Sequence, residues 1–186
     1  MILIIDNYDS FVWNLAHLVG RSQPDFMIRR NDQITCEDIR QLKPSHIMLS
    51  PGPMGPEDSG ICLEIVREFS GQIPILGICL GHQVIAHAYG LDVVKAKRPW
   101  HAAEFDINHH GSELFAGLPS PMRAVRYHSL IVHPEKKGPL QFDAQTMDGE
   151  IMAISHPTKP VFGLQFHPES IIAEHGKQLI QNFLKL

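Results

Sequence analysis

From Met1 to Tyr89 the chain alternates short, almost wholly apolar runs with amphipathic stretches. That is the pattern of parallel strands buried on both faces by crossover helices. Met1 to Ile5 is the first predicted strand, and Ser10 is placed to cap a helix through Phe11, Leu15 and Leu18 that stops at Gly20. Phe26 to Ile28 follows as a strand. Thr35 caps a short helix through Ile39 and Leu42, and Pro44 separates it from a strand at His46 to Leu49. After the Pro/Gly loop Ser50 to Pro56, residues Ile61, Ile65, Val66 and Phe69 recur at helical spacing. Ile73 to Ile78 is the most apolar strand and is expected near the sheet centre. Beyond Tyr89 the alternation shortens to strands at Asp92 to Lys97, Glu104 to Ile107, Met122 to Arg126, Gln141 to Thr146, Ile151 to Ile154 and Val161 to Phe166. There antiparallel or mixed pairing is expected. A closing helix, Glu174 to Leu184, carries Leu179, Ile180, Phe183 and Leu184 as one apolar stripe. Pro99 to Gly111 has no clean period. The expectation is an α/β fold: one domain, 1–186, with an open mixed, mainly parallel sheet flanked by helices.

Composition narrows the function. At 186 residues, 44% hydrophobic and 19% charged, the chain has apolar surface for one sizeable core. Its net charge of −4, with both signs scattered and no basic block, argues against nucleic-acid binding by bulk electrostatics. Ile73 to Leu80 is far below the ~20 residues needed to cross a bilayer, and Asp6 interrupts the opening MILIID too early for a signal peptide. No membrane association is expected. Cys36, Cys62 and Cys79 cannot all pair and have no CxxC or His-rich ligand spacing, so neither a disulfide framework nor a metal site is suggested. A reducing cytoplasm is the expected location.

Chemistry concentrates in Ile75 to Gln83, ILGICLGHQ, where a buried strand runs straight into a helical pattern. A reactive side chain on a sharp strand-to-helix turn needs minimal neighbours two residues to either side, and Gly77 and Gly81 supply them around Cys79. The helix N-terminus would favour a thiolate, and the Leu80 N–H points where an oxyanion would form. The competing reading is a small buried cysteine between glycines. A cysteine nucleophile needs a base and acid. The best placed is His167 in Gln165-Phe166-His167-Pro168-Glu169-Ser170, just past an apolar strand, with Glu169 projecting to the same side to orient the imidazole. His82, on the same helical face as Cys79, and His128, at a strand end, are rivals. Cys36 and Cys62 read as packing residues. Ser50-Pro51-Gly52-Pro53 follows a strand and should reach the same sheet edge, where a stiff loop could bring the Gly52 N–H to an oxyanion.

With ILGICLGHQ, SPGP, RYHSL and QFHPES in order, and the opening IDNYDSFVWNL, the chain resembles class I (triad-type) glutamine amidotransferases over Met1 to Leu186, most of all the small glutaminase subunits of anthranilate synthase and aminodeoxychorismate synthase. The resemblance implies a flavodoxin-like sheet, Cys79 as nucleophile, His167 as general base and acid, and Glu169 as its orienting carboxylate. It further implies oxyanion N–H groups at Gly52 and Leu80, with Gln83 and the backbone of Ser129 and Leu130 binding glutamine. No cofactor is implied. The partners implied are L-glutamine and a larger, chorismate-binding synthase subunit that receives the ammonia. Two departures stand out: Met54-Gly55-Pro56 where the family has glycine-threonine-proline, and His101-Ala102-Ala103-Glu104-Phe105 where it has histidine-glycine-lysine-threonine-serine in a region associated with partner contact. The competing classes are a non-catalytic docking subunit, a hydrolase of the same fold, and an amidotransferase subunit serving another pathway.

Overall fold

The computed structural model describes residues 1–96, 103–133, 135 and 138–186. Four β-α units open the chain: β1 (Ile2–Asp6), α1 (Val12–Gly20), β2 (Phe26–Arg30), α2 (Cys36–Leu42), β3 (His46–Leu49), α3 (Cys62–Phe69), β4 (Ile75–Ile78) and α4 (Leu80–Ala88). Then come β5 (Val93–Lys95), β6 (Ala103–His109), β7 (Met122–Arg126), β8 (Leu130–Val132), β9 (Gln141–Thr146), β10 (Ile151–Ser155), β11 (Val161–Leu164) and α5 (Gly176–Phe183). One nine-stranded sheet runs β2-β1-β3-β4-β11-β10-β9-β6-β7, and β5 pairs with β8 in a separate small sheet. Pairing is parallel from β2 through β11 and antiparallel from β11 to β7. The mixed, mainly parallel sheet expected of the sequence is therefore present, with β4 and β11 at its middle.

Alternation along β1 divides the core. Ile2 and Ile4 face α1 and α5 with Val12, Leu15, Ala16, Leu179, Ile180 and Phe183. Leu3 and Ile5 face the opposite layer of Ile39, Ile65, Val66, Val84 and Ile85 from α2, α3 and α4. A strand with both faces covered must be apolar throughout, which is why β1 and β4 read as unbroken runs. Phe183, fully buried, contributes about 2–3 kcal/mol of burial on its own. Thr35 caps α2 as expected: its hydroxyl accepts from the Asp38 N–H, and the Asp38 carboxylate accepts from the Thr35 N–H.

Three local expectations are corrected. Ser10 does not cap α1. The helix opens at Val12 behind Phe11 with no side-chain cap, because the turn out of β1 is closed by the Asp6 carboxylate, which accepts the Asp9 N–H at 3.0 Å, with Tyr8 in the left-handed region at φ 59°. Ile73 lies outside β4 and makes only an isolated bridge to Ser70. Leu130 to Val132, too short to show a period, is a strand because β5 pairs with it. The end of the Asp92 to Lys97 prediction and His101-Ala102 lie outside the described residues. Glu104 and Phe105 fall in β6, where Glu104 is exposed beside Arg123 and the Phe105 ring lies 4.3 Å from the Arg126 guanidinium.

The Met54 departure has a conformational cost. Met54 sits at φ 66° and is 73% exposed, so it carries the left-handed strain of a side chain without burying it. Met54→Gly is expected to stabilise the protein by about 0.5–1 kcal/mol, the relief exceeding the added chain entropy. A rise in the chemical-denaturation midpoint at unchanged slope would show it; a fall would mean the methionine packs usefully in solution.

Candidate active site

The parallel strands β1, β3, β4 and β11 all deliver their C-terminal ends to one edge, where open α/β sheets place their sites. Asn7 and Ser50, just past β1 and β3, tie that edge together. The Asn7 N–H donates to Ser50 Oγ and the Asn7 side-chain amide to the Ser50 carbonyl, both at 2.9 Å. Asn7 Oδ1 in turn accepts from Asn31 Nδ2 and from the Cys62 thiol. Gly52 rests on this knot. A β-carbon on Gly52 would lie 2.5 Å from the Asn7 carbonyl oxygen and 3.0 Å from Leu80 Cδ2, so only glycine lets the loop come down beside the first residue of α4.

Cys79 joins β4 to α4 with φ 51° and ψ −100°, outside the helical and extended regions. The elbow closes because Gly77 and Gly81 have no side chains: a β-carbon on Gly77 would lie 2.3 Å from the Gly81 carbonyl carbon, and one on Gly81 would lie 2.4 Å from the Leu49 carbonyl oxygen. The Cys79 N–H donates to the Leu164 carbonyl at 2.7 Å, fixing the turn against β11. The strand-turn-helix reading of ILGICLGHQ thus holds in detail.

β11 leads through Gln165 and Phe166 to His167, whose N–H donates to the Val125 carbonyl at 2.9 Å. The buried His167 and Glu169 side chains meet at 2.6 Å between Nδ1 and Oε1. His167 Nε2 has no hydrogen-bond partner among the described residues. Burial by itself would push this imidazole down. The Glu169 charge outweighs it, aided by the nearby Cys79 and by the hydrogen bond at Nδ1, and the pKa stands well above the ordinary histidine value. Cys79, His167 and Glu169 are therefore brought together, with the charged form of the ring favoured beside the sulfur. Helix α5 begins hard against this turn, where a β-carbon on Gly176 would overlap the Pro168 carbonyl.

The rival bases are placed differently. His82 is fully buried against Gly163, and burial pushes it down to about 3. His128, also buried, is pushed down to about 4, first by burial and then by the positive charges of Arg126 and His167. Both are neutral near pH 7 with no carboxylate to make them bases. Cys36 and Cys62 are buried thiols pushed up to about 12, Cys36 by burial and by Glu64 and Glu68, Cys62 by burial alone. Cys36, Glu64 and Glu68 gather within metal-ligand reach, but Glu68 is already paired with Arg40 and the thiol stays protonated, so the cluster reads as packing.

Gln83 and the Leu130 carbonyl also reach the site. Gln83 Nε2 donates to the Leu130 carbonyl and to Gln165 Oε1, both at 3.1 Å, which uses both its N–H bonds and leaves Oε1 to accept from a ligand. The Ser129 carbonyl already accepts the Ala96 N–H at 2.8 Å. Asn7 and Gln165 were not singled out as site residues by sequence reasoning. Each sits one residue beyond an apolar strand, a polar amide where burial should continue, and that position is the signal that could have found them. Beside the triad, Phe11, Asn14, Tyr127, His167, Glu169 and Ile171 line a cavity of about 190 Å³.

Residues 3–186 match the model of the family described as glutamine amidotransferase class-I. The chain is 50% identical over 186 residues to the aminodeoxychorismate/anthranilate synthase component 2 of Bacillus subtilis, covering all of this chain and 96% of that one. It is 47% identical to the aminodeoxychorismate synthase component 2 of Escherichia coli K12, covering 99% of both. Among solved structures, a putative GMP synthase subunit from Thermoplasma acidophilum superposes with a TM-score of 0.88 at 25% identity, covering 99% of this chain and 92% of that one.

Proposed function

The chain belongs to the class-I glutamine amidotransferase family, and we propose that it is the glutaminase subunit of a chorismate-aminating synthase, hydrolysing L-glutamine and passing ammonia to a larger subunit. The observation that carries the reading is Cys79 on a glycine-enforced elbow beside a histidine hydrogen-bonded to Glu169. The Cys79 thiolate attacks the side-chain carboxamide carbon of glutamine, and the oxyanion is received by the Leu80 and Gly52 N–H groups. The His167 imidazolium gives its proton to the leaving nitrogen, ammonia departs, and a γ-glutamyl thioester remains. Neutral His167 then takes a proton from water, hydroxide adds to the thioester, and collapse expels thiolate and glutamate with the imidazolium restored. The backbone of Ser129 and Leu130, with Gln83 Oε1, is assigned to the α-amino and carboxylate end of glutamine.

The names of the relatives assign them to component 2 of their synthases, and the rim of this site suits a partner. Phe11, Trp13, Ile171 and Ile172 are 51%, 62%, 93% and 49% exposed. Phe11, Ile171 and Ile172 line the cavity against His167, a grouping of large apolar side chains that favours a protein surface over water. In the expected outcome, glutamate release rises when one candidate synthase partner and chorismate are added, and Trp13→Ser with Ile171→Ser weakens that stimulation about tenfold while release by the chain alone is unchanged. Binding without glutamine hydrolysis under any condition would instead establish a docking role. Stimulation untouched by the rim changes would move the interface elsewhere.

A further inference from the structure

Gln165 is completely buried, and its Nε2 lies 3.7 Å from Cys79 Sγ, within hydrogen-bond reach of the sulfur. The triad chemistry above does not use this contact. Which end of an amide faces a neighbour is decided by what the neighbour can do, and here the decision starts at the backbone. The Leu130 carbonyl can only accept, so the Gln83 side chain must turn its nitrogen toward it. The same nitrogen faces Gln165, so Gln165 must present its oxygen there. The Gln165 nitrogen is then left on the side of Cys79. Reversing either amide would set N–H against N–H or oxygen against oxygen in a buried site, at the cost of an unmade hydrogen bond.

We infer that Gln165 is a catalytic residue, an N–H donor that holds the Cys79 thiolate, with its polarity set by the Leu130 backbone carbonyl through Gln83. A thiolate is a far better acceptor than a thiol, so the contact favours the charged sulfur. It acts twice in the cycle. It raises the fraction of attacking thiolate, and it receives the sulfur again when the thioester collapses. A lower thiol pKa costs some intrinsic nucleophilicity, but by roughly half as many powers of ten as the thiolate fraction gains, so the balance favours reaction until the thiol is fully ionised. The catalytic meaning rests on the glutaminase reading; the contact itself does not.

The test is the pH dependence of Cys79 alkylation by iodoacetamide in the intact 186-residue chain, read on the Cys79 peptide by mass spectrometry. Cys36 and Cys62, both pushed up to about 12, are slow internal references. Gln165→Met keeps the bulk and removes the donor; the alkylation midpoint is expected to rise by about one unit. Gln83→Met leaves Gln165 in place but releases its polarity, and a smaller rise in the same direction is expected. An unchanged midpoint in folded Gln165→Met would overturn the inference. Should that variant not fold, the wild-type chain decides by NMR. The Gln165 side-chain NH₂ protons are expected to shift as Cys79 ionises and to lose that titration in Cys79→Ala; NH₂ signals indifferent to Cys79 would be the contrary result. Neither measurement uses glutamine or a partner, so failure here with glutamate release intact rejects the role of Gln165 alone, whereas absent glutamate release from wild-type protein and partner rejects the glutaminase reading.

Discussion

Serine in place of Cys79 is expected to lower glutamine hydrolysis by about 10⁴-fold or more without unfolding the chain. The reason lies in the proton held by His167. Glu169, and after it the sulfur, raise the His167 pKa well above the ordinary histidine value, which suits a nucleophile that reacts as an anion. A serine hydroxyl is not ionised near neutral pH and is a far weaker acid than a thiol, so His167 ionises it far less readily. Oxygen and sulfur differ little in size, so the glycine contacts of the elbow, with approaches of 2.3 and 2.4 Å for any added β-carbon, are undisturbed. Steady-state glutamate release, compared at matched thermal stability, reads the effect. A serine variant keeping more than about one part in a hundred of the rate would mean that the sulfur is not the attacking atom.

Glu169→Gln is expected to cost about 10²–10³-fold, somewhat less than the analogous change in a serine-protease triad, and to move the pH profile in a defined direction. In the wild-type site, the Glu169 charge overcomes burial and raises the His167 pKa. Removing the charge leaves burial unopposed, and burial disfavours the charged ring, so the pKa falls. The imidazolium-thiolate pair exists only below that pKa. The alkaline limb of the glutaminase profile is therefore expected above the ordinary histidine value in the wild type and to slide to lower pH in Glu169→Gln. An alkaline limb that stays in place while the rate drops would assign the carboxylate a purely steric role. The His167 ring resonances, followed through the same range, supply an independent reading of the sign.

Much of this site is legible from the chain alone. Glycines two residues to either side of a cysteine at a strand-to-helix junction state a steric requirement, and the structure shows that requirement in the mutual approach of Gly77, Gly81 and the Leu49 carbonyl. His167 and Glu169 were expected to share a side of an extended segment; they do meet, but in a turn where the Ser170 N–H donates to the His167 carbonyl. Helix starts are less legible. Ser10 has the right side chain to cap α1, but the Asp6 carboxylate reaches the turn first, a competition between two side chains that a composition rule does not rank. Spacing does not choose the base either. His82 is nearer in sequence than His167, and only its complete burial and the carboxylate beside His167 separate them.

The sequence alone determined the order of strands and helices along the parallel half, the central place of the Ile75–Ile78 strand and the glycine-flanked elbow at Cys79, because burial on two faces and close backbone approach each leave a local mark on residue type. Tertiary structure alone decided which strands are neighbours, and therefore which strand ends meet. Asn7, Ser50, Gly52, Cys79 and His167 come from four strand ends far apart in the chain and share one edge only because β1, β3, β4 and β11 lie side by side. The direction of the Leu130–Gln83–Gln165–Cys79 relay is of the same kind. An amide carries donor and acceptor alike, and which end it offers is settled only by the groups that packing brings against it.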